Sequence, residues 1–198
     1  INPSLYSKLP YDTLKDFQPI GMIVVVPQFL VVNKDFPANN LKELIAYVKQ
    51  NPGKVNFGSG GSGLTNHLTM ELLKASTGIQ ITHVPYKGAA AALTALIGGE
   101  ISMMFESGPA VIPHVKSGKL KVFAVGSQRR SLALPDVLTV AEAGVPGFNA
   151  QSWAAFLAPA GTPKPVIQKL NAELHAALSK PAIRERLLGM GAEPLEYT

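Results

Sequence analysis

Three observations predict an α/β protein built on a mostly parallel sheet. Short apolar runs of strand character alternate with helical periodicity from Phe29 to Val125, glycine or proline punctuates the junctions, and a glycine- and serine-rich loop, Gly58 to Gly63, joins a strand to a helix. Strands and helices that alternate at this length favour parallel neighbours, with helices covering both faces of the sheet.

Taken in order, residues 17–32 read as two extended apolar runs, Pro19 to Val26 and Phe29 to Val32, parted by Pro27. Helical periodicity follows. Asn40 with Glu43 three residues on forms a capping-box pattern, Leu41, Leu44, Ile45 and Val48 share one face, and Asn51-Pro52-Gly53 stops the helix. Val55 to Phe57 is a short strand that opens into the glycine loop, and a helix runs from about His67 to Thr77 with Gly78 as its C-terminal cap. A strand from Ile79 to Val84, a turn from Pro85 to Gly88, a helix from Ala89 to Ile97 and a strand from Ile101 to Phe105 complete the alternation. Pro113 interrupts a helical stretch from Pro109 to Lys116, and Leu120 to Val125 is one more strand. Beyond Ser127 the sequence reads as loop, with Pro135, Pro146 and Pro159. It ends in two helices: one capped by Thr162 with Val166, Leu170, Leu174 and Leu178 in a stripe, the other starting at Pro181 and closing near Gly189 to Gly191.

Composition narrows the function classes. With 198 residues and 46% hydrophobic content, the chain can build one sizeable core or two small lobes that share a hinge. No apolar run approaches the ~20 residues that cross a bilayer. Ile1-Asn2-Pro3-Ser4 lacks the basic and apolar segments of a secretion signal, so an exported protein would have to be a processed or truncated form. The absence of cysteine removes disulfides, thiolate nucleophiles and Cys-based metal sites. The net charge of +5 is dispersed, with Arg129-Arg130 the one adjacent basic pair, so no stripe tracks a nucleic-acid backbone.

Gly58-Ser59-Gly60-Gly61-Ser62-Gly63 admits several readings. It matches GxGxxG between a strand and a helix, but the acidic residue that a dinucleotide site needs about 20 positions on is replaced by Gln80, Thr82 and His83. No Gly-Lys-Ser/Thr follows for a P-loop. A nucleophile elbow needs GxSxG; Ser62 has Gly60 before it but Leu64 where the second glycine belongs, and Ser59 has Phe57 where the first belongs. An anion cradle requires only what is present: close-approaching backbone amides, the hydroxyls of Ser59, Ser62 and Thr65, and the start of a helix. A plain flexible turn remains the bland alternative.

Other candidates are weaker. His67 and Glu71 stand four apart on one helix face without a third metal ligand, which favours a surface ion pair. His83, His114 and His175 sit in no motif. Glu106, Ser107 and Gly108 follow a strand, as do Tyr86, Lys87 and Gly88, and open α/β sheets hold ligands beyond the carboxyl ends of their strands. Trp153, the sole tryptophan, either packs in a core or walls a pocket.

These segments together resemble a known family. Asn56 to Leu68 (NFGSGGSGLTNHL), Val84-Pro85-Tyr86-Lys87-Gly88, the Gly98-Gly99 entry to the Phe105 strand, Leu134-Pro135-Asp136-Val137 with Thr139-Val140-Ala141-Glu142-Ala143-Gly144, and Pro159-Ala160-Gly161-Thr162-Pro163 are similar, in order and end to end, to the tripartite tricarboxylate transporter substrate-binding proteins, or Bug family. The resemblance implies a periplasmic-binding-protein-like, two-lobed receptor in the periplasm. It would close on a small organic carboxylate and deliver it to membrane permease subunits, without catalysis, cofactor, metal or nucleic acid.

Carried over by motif, Ser59, Thr65 and the amides of Gly61, Ser62 and Gly63 take one carboxylate. Tyr86, Lys87, Gly88, Glu106 and Ser107 line the second lobe's side, and Trp153 is a candidate wall. Family members usually carry aspartate where Glu106 stands, so the extra methylene shrinks the pocket or alters selectivity. The resemblance also implies a further N-terminal portion that this sequence lacks. Residues 1–28 would then be a first-lobe remnant and hinge strand, 29–125 a complete second lobe, and 126–198 the return hinge and first-lobe helices. An incomplete first lobe implies weak or no ligand binding, and either self-association or raised mobility along Val166 to Leu178. The alternative is an enzyme that binds a phosphorylated or nucleotide ligand at the glycine loop.

Overall fold

The computed structural model describes residues 2–189 and 191–194, so the end of the expected third segment, 126–198, falls outside the described residues. In chain order the elements are α1 (Asn2–Leu5), β1 (Phe17–Asn33), α2 (Leu41–Gln50), β2 (Asn56–Ser59), α3 (Thr65–Thr77), β3 (Thr82–Pro85), α4 (Ala89–Gly98), β4 (Met103–Ser107), α5 (Gly108–Lys116), β5 (Leu120–Val125), β6 (Gln151–Pro159), α6 (Lys164–Leu178), α7 (Pro181–Gly189) and β7 (Glu193–Pro194). They group into two compact units: Pro27–Ser152, and the described residues up to Val26 together with those from Trp153 on.

The larger unit is a sheet of order β3-β2-β4-β1-β5. β2 is parallel to β3 and to β4, as the alternation of strand and helix requires. β1 is antiparallel to both β4 and β5, so it alone runs against its neighbours in this unit. Periodicity reads which face a residue occupies but not the order of strands, so this reversal was not legible.

Side-chain alternation builds the core on both faces of that sheet. Leu30 and Val32 of β1 with Met103 and Phe105 of β4 face one layer, which contains Leu41, Leu44 and Val48 of α2 and Met70 and Leu73 of α3. Phe29, Val31 and Met104 face the other, with Ala92, Ala95 and Leu96 of α4 and Val111 of α5.

The expected helix starts and stops hold where a cap defines them. The Asn40 side chain accepts from the Glu43 amide at 2.9 Å, and Glu43 reaches back to the Asn39 amide at 2.8 Å, one residue earlier than a standard capping box. Gly78 takes the left-handed conformation at φ 69° to end α3.

Several expectations need correction. Pro19 to Val26 and Phe29 to Val32 are one continuous strand of 17 residues, not two runs. Pro27, which has no amide to give, follows the β7 pairing at Val24 and Val25 and precedes the β4 and β5 pairings, which begin at Gln28 and Phe29. The strand expected from Ile79 begins at Thr82, because Ile79 and Ile81 are spent as buried plugs against the core before pairing starts.

The domain boundary expected at residue 125 lies at Ser152. Residues 139–150 pack on the larger unit, where the Val140 amide donates to Val125 O at 2.8 Å, the Ala150 amide donates to Gly126 O at 2.8 Å, and Phe148 stacks on Phe105. Finally, the segment read as loop contains β6. Trp153, Phe156 and Leu157 on it are 61%, 54% and 52% exposed, so no one-sided alternation marks it as a strand.

In the smaller unit β6 and β7 pair with β1, and the Asn171 side chain ties α6 to Ile20 O at 2.7 Å. Pro163, not Thr162, occupies the N-cap of α6, and the Thr162 hydroxyl donates to Pro159 O instead. Along the α6 stripe only Leu178 is buried, while Val166 and Leu170 are 45% and 44% exposed.

The capping geometry makes a direct prediction. Asn40→Ala should cost the Pro27–Ser152 unit about 1 kcal/mol of stability, read by chemical denaturation, whereas Asn40→Asp should be near neutral.

Candidate functional site

The three parallel strands β2, β3 and β4 each pass at their carboxyl end into the segment that begins a helix: α3 after the glycine loop, α4 after Tyr86-Lys87-Gly88, and α5 directly. None of these three helices has a side-chain cap; the N-cap residues are Leu64, Gly88 and Ser107. Their first amides lack backbone acceptors within the helix and carry partial positive charge, although that of His67 donates to Asn66 Oδ1 at 2.9 Å, so one end of the sheet gathers donors suited to an anion.

Close contacts lock this end together. Gly60 O accepts the Gly88 amide at 3.0 Å, and Ser59 O accepts the Tyr86 amide at 2.9 Å. A Cβ at Gly60 would lie 2.7 Å from the Ala89 nitrogen, so only glycine lets the loop rest against the start of α4. Asn66, in the first turn of α3, donates from Nδ2 to Glu106 Oε2 at 3.2 Å, and Glu106 Oε1 accepts both the amide and the hydroxyl of Ser107 at 2.8 Å. Glu106 is thus a buried, hydrogen-bonded carboxylate within β4 rather than a solvated loop residue.

The expected ligand residues occupy different situations. Gly61, Ser62, Gly63 and Thr65 lie on the loop and the first residue of α3, with Ser62 exposed. Lys87 and Gly88 are exposed beside them, and Tyr86 is half-buried against the α4–α5 face of the core. Ser59 is fully buried: its Oγ lies 2.6 Å from His83 Nε2 and accepts the Gly61 amide at 3.2 Å. The Gly63 amide donates to His67 Nδ1 at 3.0 Å. In this conformation the loop therefore satisfies two of its own amides. Trp153 belongs to the smaller unit, where it is exposed on β6 and packs in no core.

Sequence reasoning missed Asn66, which bridges α3 to Glu106, and the role of the histidines. His67 and His83 stack at 4.1 Å between ring centroids, and Phe57 stacks on His83 at 4.8 Å. The position of His83, one strand over from the loop, was the available signal. His67 Nε2 lies 3.8 Å from Glu71 Oε1, but the ion pair on this face is Glu71 with Lys74 at 2.8 Å, three positions apart. Among the described residues no group of three or more His, Asp or Glu side chains could hold a metal. Among the described residues no helix is long and apolar enough to cross a membrane. A shallow recess at the opposite end of the sheet is lined by Asn33, Asp35, Tyr47, Lys54 and Ser102.

Comparison with known proteins decides the lineage. The family described as "Tripartite tricarboxylate transporter family receptor" matches residues 1–198. The chain belongs to this family. Protein BugT of Bordetella pertussis is 39% identical over 195 residues, covering 98% of this chain and 60% of that protein. The periplasmic binding protein BugD superposes with a TM-score of 0.84 at 40% identity, over 98% of this chain and 64% of BugD. Rpa4515 of R. palustris, solved with adipate, superposes at 0.86 with 38% identity over 96% of this chain and 63% of its own. MatC from Rhodopseudomonas palustris, solved with bound malate, superposes at 0.82 with 34% identity over 96% and 65%.

The chain thus spans about three fifths of the relatives it matches. The fold is that of a tripartite tricarboxylate receptor, a transport family rather than an enzyme family. The dinucleotide alternative loses its footing as well, since His83 and not an acidic residue stands beside the loop.

One substitution tests how the site is held. Gly60→Ala should lower stability by about 1–3 kcal/mol through the collision with Ala89, and should shift the amide resonances of both the loop and the start of α4.

Proposed function

We propose that this chain carries the carboxylate-holding unit of an extracytoplasmic solute receptor of the periplasm. Its ligand is a small di- or tricarboxylate or a related acid, passed on to the permease subunits of a tripartite tricarboxylate-type transporter. The observation that carries this reading is the gathering of three uncapped helix starts at one end of the sheet. Lys87 is the one lysine or arginine in the segments that form that end.

Amides replace the water around a carboxylate without fixing a cation in the site, and this suits a receptor that must release what it binds. Ser62 and Thr65 add hydroxyls beside the start of α3, and Gly88 and Ser107 open α4 and α5. Glu106, already saturated by Asn66 and Ser107, limits how close a second negative group comes. The relatives solved with adipate and malate support the ligand class.

A thermal-shift series tests the class. Adipate, malate and succinate at about 10 mM should raise the melting temperature, while NAD and ATP should not. Stabilisation by the nucleotides alone would overturn the reading. At residue level, Ser62→Ala and Thr65→Val should each weaken the stabilising acid by roughly fivefold, about 1 kcal/mol for a lost hydrogen bond, and leave the ligand-free melting temperature unchanged.

A further inference from the structure

The loop that should present amides to an anion is held shut by a histidine. The Gly63 N–H donates to His67 Nδ1 at 3.0 Å, and a backbone amide nitrogen is a donor only, so Nδ1 must be the unprotonated nitrogen. The proton of neutral His67 then sits on Nε2, which faces Glu71 Oε1 at 3.8 Å. A second proton could be accommodated only at Nδ1. That would set two donors against each other and break the bond to Gly63.

The surroundings place a second imidazole and charged groups close to His67. His83 stacks on His67 at 4.1 Å, and a cation on one ring repels a cation on the other. Burial, then His67 and Lys74, push His83 below its ordinary 6.5, with Glu71 acting in the opposite sense. α3 supplies Glu71 and Lys74, β3 supplies His83, β2 and α4 supply no ionisable side chain, and β4 supplies only Glu106, which is bonded to Asn66.

We propose that His67 is a proton-sensitive positioning residue for the glycine loop: neutral, it holds the Gly63 amide, and protonated, it turns to Glu71 and releases that amide to a ligand anion. The last clause rests on the carboxylate reading; the latch itself does not. Acid therefore opens the cradle in two ways, by freeing a donor and by placing a positive charge beside it. The sign for His83 agrees. Its neutral form is the buried one, so its contribution to stability is complete above its ordinary 6.5 and is lost as pH falls towards the depressed folded value.

Two measurements decide the matter. In 15N NMR of the chain, the tautomer of His67 at about pH 8 should be the Nε2–H form, and protection of the Gly63 amide from exchange should fall by about tenfold between about pH 7.5 and about pH 5.5. His67→Gln offers an acceptor that does not titrate, so Gly63 protection should become independent of pH. Flat protection in the wild-type chain, an Nδ1–H tautomer, or an unchanged pH profile in His67→Gln would each overturn the latch. The second measurement uses inorganic sulfate, whose charge is constant over this range. Its affinity for the loop, read from the same amides, should be higher at the lower pH in the wild-type chain and equal at both in His67→Gln. Equal affinity in the wild type would overturn the link to ligand. Absence of any sulfate effect would count against the anion site itself, and the exchange data would still decide the latch.

Discussion

Everything functional in this chain follows from the parallel run of β3, β2 and β4. Parallel strands need crossover helices, and each helix that follows a strand here must start at the same end of the sheet. That topology, more than any single side chain, concentrates unpaired backbone amides where the glycine loop lies. The antiparallel β1 does not disturb this, since it enters between β4 and β5 and contributes core residues to both faces. Gly60 lets the loop lie against the first residue of α4.

Electrostatics explains why so few charged residues are needed. Partial charges at helix starts are fixed by the backbone and cost no reorganisation when an anion arrives. The carboxylates close to this end are instead tied up internally: Glu106 by Asn66 and Ser107, and Glu71 by Lys74 with His67 nearby. The smaller unit shows a different economy. Trp153, Phe156 and Leu157 on β6, with Val166 and Leu170 on α6, leave large apolar side chains exposed.

Much of this was legible from residue patterns. Asn40 with Glu43, Gly78, the apolar faces of α2 and α3 and the strand-loop-helix passage at Ser59 all depend on neighbours within a few positions, and the structure places them as the patterns imply. Contacts made at long sequence separation were hidden: Asn66 with Glu106 is 40 residues apart, and Ser59 with His83 is 24. β6 escaped because its aromatic residues lie exposed, and Pro27 misled because a proline inside a run normally ends a strand unless the ladder changes partner there. Ser59 shows the limit of motif reading, since a hydroxyl next to glycines is here turned inward to a histidine.

The central claim is that the helix starts of α3, α4 and α5 hold a small carboxylate. The most direct measurement is a residue-resolved NMR titration of the chain with adipate. The account predicts that the largest amide shifts fall at residues 65–67, 88–90 and 108–110 and saturate together. Shifts gathered instead around Asn33, Lys54 and Ser102 at the far end of the sheet, with those helix starts unmoved, would contradict it.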